Sequence, residues 1–190
     1  VASDTFTTGN SSVVLPDAGT LTRSGYTFDG WNTSAAGTGT NRAAADTFTT
    51  VSDVIFYAKW NPITYTITYN GNTSDGGTTP TTGGYTTGQS SPYSVVANTF
   101  TKTSNVFGGW NTAANGTGTS YSPGATITTL TNIVLYATWI PQFTLHYAIN
   151  GGTVSSGSLP ADQLYNTGTS VGPIFSSVSR TGYTFGGWTN

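Results

Sequence analysis

Few residues in this chain of 190 can do acid–base or nucleophilic chemistry. The seven acids are all Asp: Asp4, Asp17, Asp29, Asp46, Asp53, Asp75 and Asp162. Two converging carboxylates would make a glycosidase pair, and clustered ones at loop spacing a calcium site. No two stand in such a pattern, and they do not recur between the internal copies described below: Asp29 meets Gly108, and Asp53 meets Asn132. They read as turn and surface aspartates. His146 is the single histidine. No G-x-S-x-G elbow accompanies it, so a Ser-His-Asp triad has no nucleophile, and it reads as a surface residue on a strand. Lys59 and Lys102 raise a Lys–Asn isopeptide crosslink, which needs a buried Lys, an Asn and an acid together. Lys59 corresponds to Thr138 and Lys102 has no Lys counterpart, so the bond would not recur. The Gly-Thr-Gly-Thr stretches at 37–40 and 116–119 lack the Lys and the following helix of a phosphate cradle, and read as turns. The glycosylation-type triplets at Asn10, Asn32, Asn72 and Asn115 are expected by chance in so Thr/Ser/Asn-rich a chain. With no Cys and one His, an ordinary zinc site cannot be built. The expectation is a non-enzymatic chain with no catalytic, cofactor-binding or metal-binding residues.

Charge narrows the partners. Charged residues make up 6% of the chain, and the formal net charge is −2. That is too little charge for a protein that tracks phosphates along a nucleic acid. No apolar run approaches the twenty or so residues of a membrane span. No signal peptide is legible, which reads as a mature or excised stretch of a longer polypeptide. A Thr/Ser/Asn surface with few charges suits an extracellular bacterial protein, and it offers little electrostatic self-repulsion against close packing.

Aromatic residues are 13% of the chain, and they belong to an internal repeat. FDGWNTSAAGTGT at 28–40 matches FGGWNTAANGTGT at 107–119 at an offset of 79 (Trp31 to Trp110). The match continues from VIFYAKW at 54–60 to IVLYATW at 133–139, and a third copy opens with GYTFGGW at 182–188. A second block repeats YTITYNGNTSDGG at 65–77 as FTLHYAINGGTVSSG at 143–157. The chain therefore reads as a partial repeat over 1–61, a complete repeat over 62–140 and a partial repeat over 141–190. Part-units expose strand edges, so we expect a longer parent chain, or neighbouring molecules that complete them.

Thr, Tyr, Val and Phe favour strands, and the elements follow. Ile63–Asn70 alternates Thr with apolar residues, as a half-buried strand does. Thr27–Asn32 and Val106–Asn111 read as strands ending at the Trp. Val54–Trp60 and Ile133–Trp139 read as central strands covered on both faces. Asn61-Pro62 and Ile140-Pro141 mark junctions with linkers of two or three residues. Pro16-Asp17 suggests a short helix over 16–24, with equivalents at 95–103 and 173–181.

GYTFDGW, a Gly-Thr-Gly turn and a closing apolar-x-apolar-Tyr-Ala-x-Trp resemble the Listeria–Bacteroides repeat, found as the B-repeats of internalin B and in many bacterial surface proteins. The motif stands at 25–60 and 105–139, and in part at 182–188. The resemblance implies a mainly β, β-grasp-like domain (α+β at most), in tandem arrays that act as stalks, spacers or adhesion modules. The chain departs from the family in carrying few charges.

The repeated aromatics read as core: Phe28, Trp31, Tyr57, Trp60, Phe107, Trp110, Tyr136, Trp139, Phe185 and Trp188. Trp and Tyr faces also suit pyranose rings. The reading is a stalk, spacer or self-assembling structural element of a bacterial surface protein, and the alternative is a carbohydrate-binding or host-cell adhesion module using Tyr85, Tyr93, Tyr121 and Tyr165. The expected partners are neighbouring repeats of the same or another chain, or surface glycans or host proteins.

Overall fold

Thr–apolar alternation over Thr64–Asn70 does produce a strand, with Ile67 and Tyr69 buried and Thr64 and Thr66 exposed. A computed structural model describes residues 12–49, 53–172 and 177–188. Among the described residues all regular structure is β. In chain order the strands are β1 (Val13–Val14), β2 (Tyr26–Asn32), β3 (Asn41–Arg42), β4 (Thr47–Phe48), β5 (Tyr57–Pro62) and β6 (Thr64–Asn70). Then come β7 (Gly76–Gly77), β8 (Gly83–Thr86), β9 (Tyr93–Ser94), β10 (Phe100–Thr101), β11 (Asn105–Asn111), β12 (Ser120–Tyr121) and β13 (Thr126–Ile127). The longest, β14 (Ile133–Leu145), precedes β15 (Thr153–Val154), β16 (Gln163–Asn166) and β17 (Val178–Ser179).

No helix forms over 16–24 or 95–103, and of the third expected position residues 173–176 lie outside the described ones. The backbone there is used otherwise. Val95 exchanges hydrogen bonds with Ala125 O (2.8 Å) and the Gly124 N–H (2.7 Å). Leu15 does the same with Asp46 O and the Ala45 N–H, both at 2.8 Å. Asn98 Oδ1 then accepts the Phe100 N–H at 3.0 Å, a local turn that competes with helix. The helix that a β-grasp packs across its sheet has no counterpart among the described residues.

The chain divides into two compact units, and the cut falls inside β6. The first comprises Val1–Ile67, Thr82–Ser94 and Thr126–Ile133. Here β2 lies between β3 and β5, all antiparallel, and β6 pairs β8 through Thr64↔Thr86 to Ile67↔Gly83. Two ribbons, β1 with β4 and β9 with β13, complete it. Its buried residues include Leu15, Asn32, Ile67 and Ile127.

The second unit comprises Thr68–Thr81, Val95–Ala125 and Val134–Asn190. Here β14 pairs β11 on one stretch and β16 on the next, β12 flanks β11, and β7 pairs β10. Its core is Tyr69, Val95, Trp110, Asn111, Leu135 and Ala137.

Two strand expectations change. Val54–Phe56 is not strand, and β5 starts at Tyr57. β5 is an outer strand in its order of three, and Ile55, which precedes it, is 64% exposed rather than covered on both faces. Neither expected linker is one: Ile140 and Pro141 lie within β14, and Asn61 and Pro62 lie within β5.

Candidate functional site

The repeated Phe-x-x-Trp motif is shaped by a bulge. Side chains three apart on a regular strand point to opposite faces. In β2 the register slips between Phe28 and Trp31, and in β11 between Phe107 and Gly109. The extra residue brings both rings to one face. Phe28 meets Trp31 edge-on at 5.4 Å, and Phe107 meets Trp110 at 5.0 Å. Gly30 holds φ +90°, and a Cβ there would lie 2.3 Å from Arg42 O. The closing strand then adds a third ring: Trp60 on Phe28 at 5.7 Å and Trp139 on Phe107 at 6.1 Å. The first two motif Trp residues find polar partners as well. Trp31 Nε1 donates to Pro16 O (2.7 Å), and Trp110 Nε1 to Val96 O (3.1 Å).

The residue after each Trp carries as much of the construction. Asn32 and Asn111 are 2% and 1% exposed. Asn111 Nδ2 donates toward Gly116 O, Gly118 O and Ser120 Oγ at 3.1–3.2 Å. Its Oδ1 accepts the N–H groups of Ala113 (2.8 Å) and Gly118 (3.0 Å). Asn32 repeats this with Gly37 O, Gly39 O, Asn41 Oδ1, and the Ser34 and Gly39 N–H groups. The Gly-Thr-Gly-Thr turn is therefore wrapped around a buried carboxamide, and its backbone groups face inward to Asn rather than outward to an anion. Sequence reasoning passed over both Asn residues; their signal was the Trp-Asn pair recurring at the same offset.

The expected core aromatics divide. Trp110 is fully buried. Phe28, Trp31, Trp60, Phe107, Tyr136, Trp139 and Trp188 are half-buried. Tyr57 (38%) and Phe185 (43%) are exposed, contrary to expectation. Tyr57 sits on the outer strand of its sheet, whereas its counterpart Tyr136 lies on β14, which has a strand on each side. Phe185 belongs to no strand among the described residues.

The tyrosines of the adhesion alternative are all half-buried. Tyr85 stands opposite Tyr65 and Tyr165 opposite Phe143, at matching places in two copies. Tyr121 faces Trp110 across β11 and β12, and Tyr93 faces Ile127. Tyr85 and Tyr93 belong to the first compact unit, Tyr121 and Tyr165 to the second.

Lys59, Asp29 and Asn61 do meet, as an isopeptide trio would. Lys59 Nζ lies 2.7 Å from Asp29 Oδ2, and both side chains are over a third exposed. The hydrogen bond and charge of Lys59 hold the Asp29 carboxyl below its ordinary pKa, with help from Asn61. That favours the carboxylate, opposite to the protonated acid that amide formation needs. Lys102 instead donates to Thr73 Oγ1 at 2.7 Å. His146 is exposed and pairs with Asp162 at 2.8 Å. Among the described residues no group of three His, Cys, Asp or Glu side chains is placed to hold a metal ion, and no helix is long and apolar enough to cross a membrane.

The model of the Listeria–Bacteroides repeat domain matches residues 1–59, 65–138 and 143–190. The chain belongs to this family. It carries three tandem copies of the repeat, built in β-structure alone among the described residues. A relative from Evansella cellulosilytica, described as a putative Gly-rich membrane protein, is 33% identical over 165 residues. The alignment covers 80% of this chain and 18% of that relative, so the chain spans a small part of the relative's length. No solved structure matches it.

Proposed function

We propose that these Listeria–Bacteroides repeats form a non-enzymatic extracellular module of a bacterial surface protein, a stalk or spacer whose units span 1–61, 62–140 and 141–190. One observation carries the reading: β14 runs unbroken from the second repeat into the third. It pairs β11 up to Pro141 and β16 from Gln142 onward. Pro141 sits where the partner changes, a place where a missing N–H costs no ladder bond. The Gln142 N–H then returns to Ser104 O at 2.8 Å. The first junction repeats the device. β5 ends at Pro62, β6 begins at Thr64, and the Ile63 N–H bonds Gly25 O at 2.9 Å. A Cβ on Gly25 would lie 2.6 Å from Thr87 and 3.3 Å from Leu130, so the turn of one repeat is seated against the next. A strand shared by successive units removes the free torsions of a linker. The relative described as a membrane protein and the family's occurrence on surface proteins support the location.

Small-angle scattering tests it. A stiff stalk gives one elongated profile, which lengthens by a constant increment when an extra copy of 62–140 is inserted and does not respond to glycans. Scattering from a hinged ensemble, or a glycan-dependent change in Tyr or Trp fluorescence, overturns the stalk in favour of the adhesion module.

A further inference from the structure

β8 and β16 are counterparts, and they manage the same edge differently. Tyr85 of β8 stands opposite Tyr65, and Tyr165 of β16 stands opposite Phe143. β8 ends its strand order within the complete repeat, so the outer place of this strand belongs to the repeat's topology. The Thr87 N–H bonds Ile63 O at 3.1 Å, and the Thr167 N–H bonds Pro141 O at 2.8 Å. Main-chain groups in an antiparallel pair face the partner at alternate residues. Those of Gly84 and Thr86, and those of Leu164 and Asn166, therefore turn outward. In β8 this edge is closed. Gln89 Oε1 accepts the outward Thr86 N–H at 2.8 Å, and Gly84 presents no side chain. In β16 it is open. Thr169 stands where Gln89 would be, and among the described residues nothing caps the Asn166 N–H. The Asn166 side chain is drawn back toward β14 by Gln142 Nε2 at 3.0 Å. Leu164, in the place of Gly84, is 62% exposed.

We propose that the outer edge of β16 pairs with β16 of a second copy of this chain, antiparallel about a twofold axis at Leu164. Each Leu164 N–H then donates to the Leu164 carbonyl of the other copy, and the two leucine side chains cover each other on one face. Three observations select this occupant. Gln163–Asn166 carries no charged side chain, and the whole chain has a net charge of only −2, so two copies meet without repulsion. An apolar residue at the centre of an outward-facing strand is complementary to itself under a twofold. The one matching edge in the chain, β8, is blocked by Gln89, which closes the heterologous β16–β8 pairing that would propagate. So short an edge makes a weak, concentration-dependent dimer. The proposal does not rest on the stalk reading.

Analytical ultracentrifugation of the 190-residue chain over a concentration series tests it, with hydrogen exchange read at low and high concentration. A monomer–dimer equilibrium is expected, with slower exchange of the Leu164 and Asn166 amides at high concentration. Leu164→Lys sets like charges opposite each other on the twofold and weakens the dimer about tenfold or more. Thr169→Gln, which supplies the cap that β8 has, does the same. Both positions are exposed, and unchanged melting of the two variants shows that they fold. A chain that stays monomeric at every concentration, an open-ended polymer, or a dimer that neither variant weakens overturns the proposal. Scattering from the Leu164→Lys chain reads the stalk without the dimer, so the two proposals fail separately.

Discussion

Asn111 and Gly118 hold each other twice: Asn111 Nδ2 donates to Gly118 O at 3.2 Å, and Asn111 Oδ1 accepts the Gly118 N–H at 3.0 Å. A Cβ on Gly118 would lie 2.8 Å from that same Oδ1. The second glycine of the turn is therefore a close-approach residue, and the turn and the carboxamide form one object.

Asn111→Ala strands several turn groups at a buried position. Each buried donor or acceptor left without a partner costs about 1–3 kcal/mol. We expect a loss of about 2–3 kcal/mol in chemical denaturation, with exchange protection lost first over Ala113–Thr119. Asn111→Asp should be worse at neutral pH, since it places a carboxylate against Gly116 O and Gly118 O, and it should recover in part on acidification.

Trp110→Ala empties the centre of the second repeat, where Tyr69, Phe100 and Phe107 all meet its indole. A cost of about 3–5 kcal/mol is expected. Trp188→Ala, at the half-buried equivalent, should cost less than half as much. Equal melting shifts for the two variants would contradict the burial difference.

Ser104 holds φ +54°, where the matching positions of the other copies are Gly25 (φ +79°) and Gly182 (φ +80°). An L-residue pays about 1–2 kcal/mol for that conformation, while glycine loses about 0.4–1 kcal/mol through the unfolded chain. Ser104→Gly should therefore raise stability by about 0.5 kcal/mol, read as a higher denaturation midpoint with an unchanged slope.

The pH response of the first unit should run through Asp29. Its folded pKa lies below its unfolded one because Lys59 hydrogen-bonds and attracts the carboxylate. The stability it adds is present above the unfolded pKa and is lost as pH falls through the folded one. Asp29→Asn should flatten the acid limb of the stability curve, and salt should do so in part, since the pair is exposed. Asp75, lowered chiefly by the Thr103 N–H, should respond less to salt.

The sequence alone determined the repeat, its offset and the strand-rich character, because each is written in local pattern. Alternation of Thr and apolar residues over Ile63–Asn70 dictates a strand whatever surrounds it. The paired copies at Trp31 and Trp110 also identify the family without coordinates. What it did not determine was which aromatics are interior. Tyr57 and Tyr136 occupy the same place in the motif, yet only Tyr136 lies on a strand with a neighbour on each side, and burial depends on that neighbour. The same holds for Phe185 against Phe107. The central role of Asn32 and Asn111 was likewise invisible, since a buried carboxamide is recognisable only once the turn has folded around it. Tertiary structure alone turned Ile140-Pro141 from a linker into the middle of a strand: a proline there is tolerated because the pairing partner changes at that residue, and partner choice is not a local property of the sequence.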